Sequence, residues 1–425
     1  MSYFKVNHSS GLFGETTIQG SKNAVLPVIA ATVLHQGQTV IRNCPDISDV
    51  RNMIAILLHI GCKCEFQNHT LTIDASAVTN TPVPEQEVSK IRSSVIMLGA
   101  LLGRLEEAKI AYPGGCNIGS RKIDIHLELF RQMGFETTAN DKFVSIKGKV
   151  KEDKQVVLGF QSVGATENGI IAAVLSDGKT ITIKNAAKEP EISNLCRVLN
   201  TMGADIKGIG TDTLVITGVL KLHDAVVEIE ADRIVAGTYL AALAGVGGNI
   251  TLKGVNKSFD EAVLQTFLKF GVRYHFYENE LAIRCTLPKD NHKKPDVTVS
   301  TATYPGFPTD MQSQLMAVMS VNGRNGIIIE NIFENRLKNA EMLNRMGADI
   351  LVIDDRTAHV NGVSHLKGAK VRALDLRSGA ALIIAGLMAQ GTTIVENADC
   401  ILRGYEHIDR DLQELAAVVE FVSEE

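Results

Sequence analysis

The sequence predicts an α/β (α+β) protein of two domains, each made of three β-α-β-α-β-β repeats with buried helices inside and sheets outside. Three observations carry this expectation. One helix-ending phrase recurs six times, a β-rich strand follows a turn in five of the six units, and the first helices of the units are apolar nearly all round.

The recurring phrase reads ILLHIG (Ile56–Gly61), LFRQMG (Leu129–Gly134), VLNTMG (Val198–Gly203), TFLKFG (Thr266–Gly271) and MLNRMG (Met342–Gly347), with a degenerate sixth copy, LQELAA. Its final positions lie 68 to 76 residues apart, so six units of roughly 70 residues fill the 425-residue chain. A fixed period of this kind is the signature of a repeat architecture. The turn and strand read GQTVIRN, GKTITIKN, GNITLKG, NGIIIEN and GTTIVEN. Their period-2 alternation marks half-buried strands, and glycine after the second helix is a C-cap signal. A further strand pair follows, such as Ala204–Lys207 with Thr213–Thr217. First helices such as AVLPVIAATVL, GIIAAVL and ALIIAGLMA have no polar face, which requires full burial. Stacked three at a time, the units divide the chain into residues 22–230 and residues 1–21 plus 231–425.

The composition is ordinary for a globular protein, with 45% hydrophobic and 21% charged residues, so a disordered or coiled-coil chain is excluded. A net charge of −5 offers no general attraction to nucleic acid or an anionic membrane. No signal peptide is visible at the N-terminus, and the longest apolar stretch, around Ala380–Ala389, is too short to span a bilayer. A soluble protein is expected. The seven scattered cysteines lack CxxC spacing, which points to reduced thiols in a cytoplasm rather than a zinc ribbon or disulfide framework. No metal cluster is evident.

The first helices begin at SKNA (Ser21), RSSV (Arg92), VGATEN (Val163), ADRI (Ala231), PTDM (Pro308) and LRSG (Leu376). Free N–H groups and dipoles at such ends attract anions. Two threefold sets facing each other would enclose a cleft, the first place to look for a ligand. Cations recur at element starts: Lys22, Arg92, Arg121, Arg233, Arg336, Arg377 and Arg403. Singly, each reads as a solvated charge near a cap; together they favour a phosphate- or carboxylate-bearing ligand. Asp310, in PGFPTDMQ, reads either as an N-terminal helix charge or as a general base.

The strongest local feature is PGGCNIGSRKIDIH (Pro113–His126), where a glycine-rich loop replaces the usual turn into the second helix. Cys116, close to Arg121 on that loop, has the setting of a reactive thiol, although a buried structural cysteine is the simpler reading of composition alone. GKT at Gly178–Thr180 imitates a phosphate loop, but Ala173 stands where that motif needs glycine. No G-x-G-x-x-G, H-E-x-x-H or G-x-S-x-G occurs.

These residues resemble the enolpyruvyl transferase family along essentially the whole chain. The motifs are GSKNAVLP (Gly20–Pro27), PGGCNIGSR (Pro113–Arg121), SVGATEN (Ser162–Asn168), EPEI (Glu189–Ile192), PGFPTDMQ (Pro305–Gln312), FENR (Phe333–Arg336), DLRSGAAL (Asp375–Leu382) and RGYE (Arg403–Glu406). The resemblance implies transfer of the enolpyruvyl group of phosphoenolpyruvate to the 3-hydroxyl of UDP-N-acetylglucosamine, an early step of peptidoglycan synthesis, with no metal or organic cofactor. It implies Cys116 as proton donor, able also to form a covalent adduct with phosphoenolpyruvate, and Asp310 as acceptor of the hydroxyl proton. Lys22, Arg121 and Arg403 would hold the phosphate, with Arg377 near the carboxylate. Asn23, Arg92, Arg121, Lys122, Ile123, Asp124, Ile125, Ser162, Val163, Gly164 and Ile332 would line the UDP-sugar pocket. Lys122 stands where the family usually has proline, and Phe160-Gln161 replace a lysine that some members carry. Two other readings stay open: a relative acting on shikimate 3-phosphate, against which the PGGC loop weighs, and a weakly active UDP-sugar-binding paralogue.

Overall fold

The computed structural model describes residues 2–83, 85–112, 123–140, 142–288 and 290–423, Asn291 by its backbone alone. These residues form a mixed α/β structure with six small sheets. Contacts divide them into two units, one within residues 1–19 and 231–425 and the other within residues 20–230.

In the C-terminal unit three helices form the interior. Arg233–Val246 buries 13 of its 14 residues, Gln312–Asn322 ten of 11, and Leu376–Met388 all 13. Each pair of the three packs together. Small residues permit this closeness: a Cβ on Gly237 would meet the Met311 sulfur at 2.8 Å, and one on Gly245 the Met388 sulfur at 2.9 Å. With burial of each Leu or Ile worth about 1.5–3 kcal/mol, such helices are stable only inside a covering shell.

That shell is three four-stranded sheets, each with one parallel pair. Parallel neighbours need a crossover, and the buried helices supply it. Val297–Ser300 runs through Gln312–Asn322 to Asn325–Ile329, and Lys370–Arg372 through Leu376–Met388 to Thr392–Glu396. The start of the chain completes two of these sheets. Leu12–Thr17 lies parallel to Gly248–Lys253, and Ser2–Asn7 sits between Thr392–Glu396 and Val419–Ser423.

The N-terminal unit has two four-stranded sheets and one three-stranded sheet. Its largely buried helices are Lys22–Ala31, Met97–Leu105 and Val163–Ala173. Lys154–Val157 crosses through Val163–Ala173 to Thr180–Lys184, and Ala225–Glu228 returns to lie beside Gln38–Arg42. In both units the crossovers set helix N-termini just beyond the carboxyl ends of parallel strands, where ligands bind in α/β sheets.

The helix-ending phrase has one conformation throughout. Gly61, Gly134, Gly203, Gly271 and Gly347 have φ between 88° and 102°, and Ala416, which closes the degenerate copy, is also left-handed at 65°. Two of the predicted first helices start differently from the rest. Arg92–Ile96 and Thr309–Met311 are 3₁₀ turns that lead into Met97–Leu105 and Gln312–Asn322. Among the described residues no helix is long and apolar enough to cross a membrane.

Candidate active site

In the N-terminal unit, the Ser21 hydroxyl caps Lys22–Ala31 by accepting from the Ala24 N–H at 3.3 Å. Lys22 opens that helix, and its Nζ lies 2.8 Å from Oδ2 of Asp49, whose side chain is 2% exposed. Asn23 follows it; Pro27, four residues on, has no N–H to give the Asn23 carbonyl. Ser162 caps Val163–Ala173 in the same manner, placing Val163 and Gly164 in the first turn.

A buried polar link gathers three of the predicted segments. Asn168 donates from Nδ2 to His126 Nδ1 at 2.8 Å and to the Val95 carbonyl at 3.1 Å, while its Oδ1 accepts from the Gly99 N–H at 2.7 Å. This pattern fixes His126 as the Nε2–H tautomer. A Cβ on Gly164 would come within 3.1 Å of the same imidazole. Ile123, Asp124 and Ile125 at the start of Asp124–Gln132, Gly164, and the turn opened by Arg92 are thereby tied together. Burial, and then Glu191 and Glu189, push the Glu167 carboxyl well above its ordinary range.

In the C-terminal unit Asp310 sits in the Thr309–Met311 turn and is bound by two arginines. Arg336 donates from Nη2 to Oδ1 at 2.7 Å, and Arg377 from Nε and Nη2 to Oδ2 at 3.4 and 3.3 Å. The arginine side chains are 2% and 3% exposed and Asp310 is 26% exposed, so the carboxylate reaches solvent while its partners do not. Arg377 starts Leu376–Met388 beneath a capping box: Asp375 accepts from the Arg377 and Ser378 N–H groups, and Ser378 Oγ accepts from the Asp375 N–H. Burial works against the Arg377 charge, but Asp310, Tyr405 and Asp232 hold its guanidinium above the ordinary value. Its Nη1 also donates to the Tyr405 hydroxyl at 3.3 Å, which shares a 2.8 Å hydrogen bond with Thr238.

Glu330, fully buried at the end of Asn325–Ile329, joins the Asp310 turn to the loop carrying Ile332. Its Oε2 accepts from the Thr309 hydroxyl at 2.9 Å. Its Oε1 accepts from the Thr301 hydroxyl and the Ile332 N–H at 2.9 Å and from the Phe333 N–H at 3.1 Å.

The cations differ from the solvated charges they resemble one by one. Lys22, Arg233, Arg336 and Arg377 are 11%, 13%, 2% and 3% exposed, and each faces a carboxylate. Arg233 is committed to Asp260 at 2.6 Å and stacks near the Tyr304 ring, a structural pairing. Arg92 and Arg403 are half-buried. Cys116, Arg121 and Lys122 lie outside the described residues. Sequence reasoning missed Asp49, the Asp375 cap, Glu330 and Tyr405. Only Asp375 carried a local signal, as an aspartate just before an apolar helix with Ser378 three positions on. Among the described residues no group of three or more His, Cys, Asp or Glu side chains is arranged to hold a metal ion.

A family model described as EPSP synthase (3-phosphoshikimate 1-carboxyvinyltransferase) matches residues 6–412. UDP-N-acetylglucosamine 1-carboxyvinyltransferase 2 of Caldanaerobacter subterraneus subsp. tengcongensis is 44% identical over 419 residues, covering 98% of this chain and 99% of the relative. UDP-N-acetylglucosamine 1-carboxyvinyltransferase 1 of Carboxydothermus hydrogenoformans is 42% identical, covering 100% and 99%. Among solved structures, the enolpyruvyl transferase NikO from Streptomyces tendae superposes with a TM-score of 0.86 at 23% identity, covering 99% of both chains. An EPSP synthase from Acinetobacter baumannii reaches 0.73 at 15% identity, covering 100% of both. These two likenesses are of fold.

Proposed function

The chain belongs to the EPSP synthase family of enolpyruvyl transferases, and from that premise we propose that it transfers the enolpyruvyl group of phosphoenolpyruvate to the 3-hydroxyl of UDP-N-acetylglucosamine, releasing phosphate. The observation that carries this choice of acceptor is full-length identity of 42–44% to relatives named for that sugar nucleotide. The product is a precursor of peptidoglycan, and a cytoplasmic setting fits the scattered cysteines, which lack CxxC spacing.

The reaction is an addition followed by an elimination. In the addition, the methylene carbon of phosphoenolpyruvate gains a proton while the sugar oxygen bonds to its C2 and the hydroxyl gives up its proton. In the elimination, the C2–phosphate bond breaks, a proton leaves the new methyl group, and the enolpyruvyl ether and phosphate remain. Cys116 serves as the proton donor and Asp310 receives the hydroxyl proton. Lys22, Arg121 and Arg403 bind the phosphate and Arg377 the carboxylate. Asn23, Arg92, Arg121 to Ile125, Ser162 to Gly164 and Ile332 hold the UDP-sugar. The pairing of Asp310 with Arg336 and Arg377 supports its part, because two guanidinium groups orient the carboxylate. Each acid-base group is asked for about 10²–10⁴-fold in rate.

We also assign the layout of three β-α-β-α-β-β repeats to each of two domains, residues 22–230 and residues 1–21 with 231–425. Both are supported by the strand order and by the left-handed residue that closes each second helix. Phosphate release measured with phosphoenolpyruvate and UDP-N-acetylglucosamine tests the function. Turnover with shikimate 3-phosphate in its place would overturn the acceptor, and tight sugar-nucleotide binding without release would overturn catalysis.

A further inference from the structure

Gln19 lies just before the GSKNAVLP motif and belongs to none of the motifs above. Its side chain pairs with the backbone on both sides of Tyr405: Nε2 donates to the Gly404 carbonyl at 3.1 Å, and Oε1 accepts from the Glu406 N–H at 2.8 Å. The Gln19 backbone carbonyl accepts from the Asp232 N–H at 2.9 Å, so the residue is anchored from behind. The turn is closed on its other side by the Ile401 carbonyl, which accepts from the Gly404 and Tyr405 N–H groups at 3.1 Å. Between these ties stands Arg403. At the same turn the fully buried Tyr405 reaches Arg377 through its hydroxyl and lies 5.5 Å, ring centroid to guanidinium carbon, from it.

A primary amide is the side chain that offers a donor and an acceptor in one fixed plane, which is what an extended backbone edge presents and requires. Gln19 therefore does for residues 404–406 what a neighbouring strand would do. Neither a hydrocarbon nor a carboxylate of the same length can make both bonds. Residues 402–406 form a short connection between the four-residue helix Ala398–Ile401 and Ile408–Glu414.

We propose that Gln19 is a positioning residue that holds the Arg403 turn and, through Tyr405, the Arg377 guanidinium in register for phosphoenolpyruvate. The inference rests on the assignment of Arg403 and Arg377 to that substrate. Gln19 touches no reacting atom, and its effect falls on the anion rather than on the sugar nucleotide.

The test compares Gln19→Leu and Gln19→Glu with the unmodified chain in the phosphate-release assay, with equilibrium dialysis of phosphoenolpyruvate and thermal unfolding alongside. Gln19→Leu removes both bonds and should raise KM for phosphoenolpyruvate about tenfold, the scale of one to two neutral hydrogen bonds. KM for UDP-N-acetylglucosamine should stay within about twofold and Tm within a few degrees. Gln19→Glu keeps the acceptor for the Glu406 N–H but sets a carboxylate oxygen against the Gly404 carbonyl oxygen, so that a repulsion replaces a hydrogen bond and its phosphoenolpyruvate KM should lie at or above that of Gln19→Leu. An unchanged phosphoenolpyruvate KM and dialysis constant in both variants, with turnover intact in the unmodified chain, overturns this inference alone. A parallel rise in both KM values with a large fall in Tm also overturns it, because that is the mark of a merely structural side chain. If the unmodified chain neither turns over nor binds phosphoenolpyruvate, the inference falls together with the functional assignment.

Discussion

Arg377 holds Oδ2 of Asp310 from two nitrogens, Nε at 3.4 Å and Nη2 at 3.3 Å, while Arg336 holds the other oxygen at 2.7 Å. The carboxylate is fixed in a plane by two buried cations, yet one quarter of its side-chain surface still faces outward. A group so held is oriented before substrate arrives.

Asp310→Asn keeps the shape but removes the charge and the basicity, and its amide NH2 cannot accept from the arginine that faces it. Steady-state phosphate release should fall by about 10²-fold or more in kcat, and Tm should fall as well, because Arg336 and Arg377, 2% and 3% exposed, lose the charge they pair with. A kcat within tenfold of the unmodified chain would remove Asp310 from proton transfer.

Thiol reactivity should separate Cys116 from four others. Burial pushes the Cys62 and Cys196 thiols up to about 12 and those of Cys64 and Cys285 up to about 11. None of the four is a thiolate near neutral pH, and the thiolate is the form that alkylates. Brief treatment with iodoacetamide at pH 7.5, read by peptide mass spectrometry, should modify Cys116 well ahead of them. Equal labelling of Cys62 would contradict the assignment of Cys116 as the reactive thiol.

Glu330 offers a graded test of the link between the Asp310 turn and the Ile332 loop. Glu330→Gln can keep its carbonyl toward Thr301, Ile332 and Phe333 and turn its amide toward Thr309, whose hydroxyl can accept. It should retain activity within a few-fold. Glu330→Ala strands two backbone N–H groups, at about 1–3 kcal/mol for each unsatisfied buried donor, and should lower Tm by several degrees and raise KM for the sugar nucleotide. Equal activity in both variants would show that the buried carboxylate organises nothing.

Ala416 occupies a left-handed conformation at φ 65° where the other five copies have glycine. An L-residue pays about 1–2 kcal/mol there, part of which glycine returns as greater freedom in the unfolded chain. Ala416→Gly should therefore stabilise the protein by about 0.5–1 kcal/mol in denaturant titration. A loss of stability would mean that the methyl group packs to more effect than the backbone is strained.

Asp411 predicts a pH dependence. Burial raises its carboxyl to about 7, with Glu414, Glu406 and Asp409 adding to the rise and the Tyr239 hydroxyl, 2.5 Å away, opposing it. An unfolded aspartate titrates near 3.9, so the folded chain binds the extra proton and loses stability as pH rises from about 4 to about 7, then levels off. Asp411→Asn should gain on the unmodified protein across that window and run parallel to it above. A constant difference across pH 4–8 would contradict the raised carboxyl.

Local sequence determined what local physics controls. The left-handed position after each second helix, the alternating strands and the helices apolar on every side are all written within a few residues of one another, and Gly61 through Gly347 have the conformation their C-cap role requires. Candidate residues could be read as types in motifs: Lys22 beside Ser21, Asp310 after Pro308, Arg377 after Asp375. Their state could not. Whether a cation is solvated or buried against a carboxylate depends on what the fold carries to it. Lys22 meets Asp49, 27 positions along the chain, and Asp310 meets arginines 26 and 67 positions away. Gln19 meets the Arg403 turn 385 residues on, because the opening strands complete sheets of the C-terminal unit. Such pairings leave no periodic trace, since one hydrogen bond or ion pair constrains single side chains rather than a repeating pattern. Tertiary structure alone decided which partner each of these charged and amide groups meets.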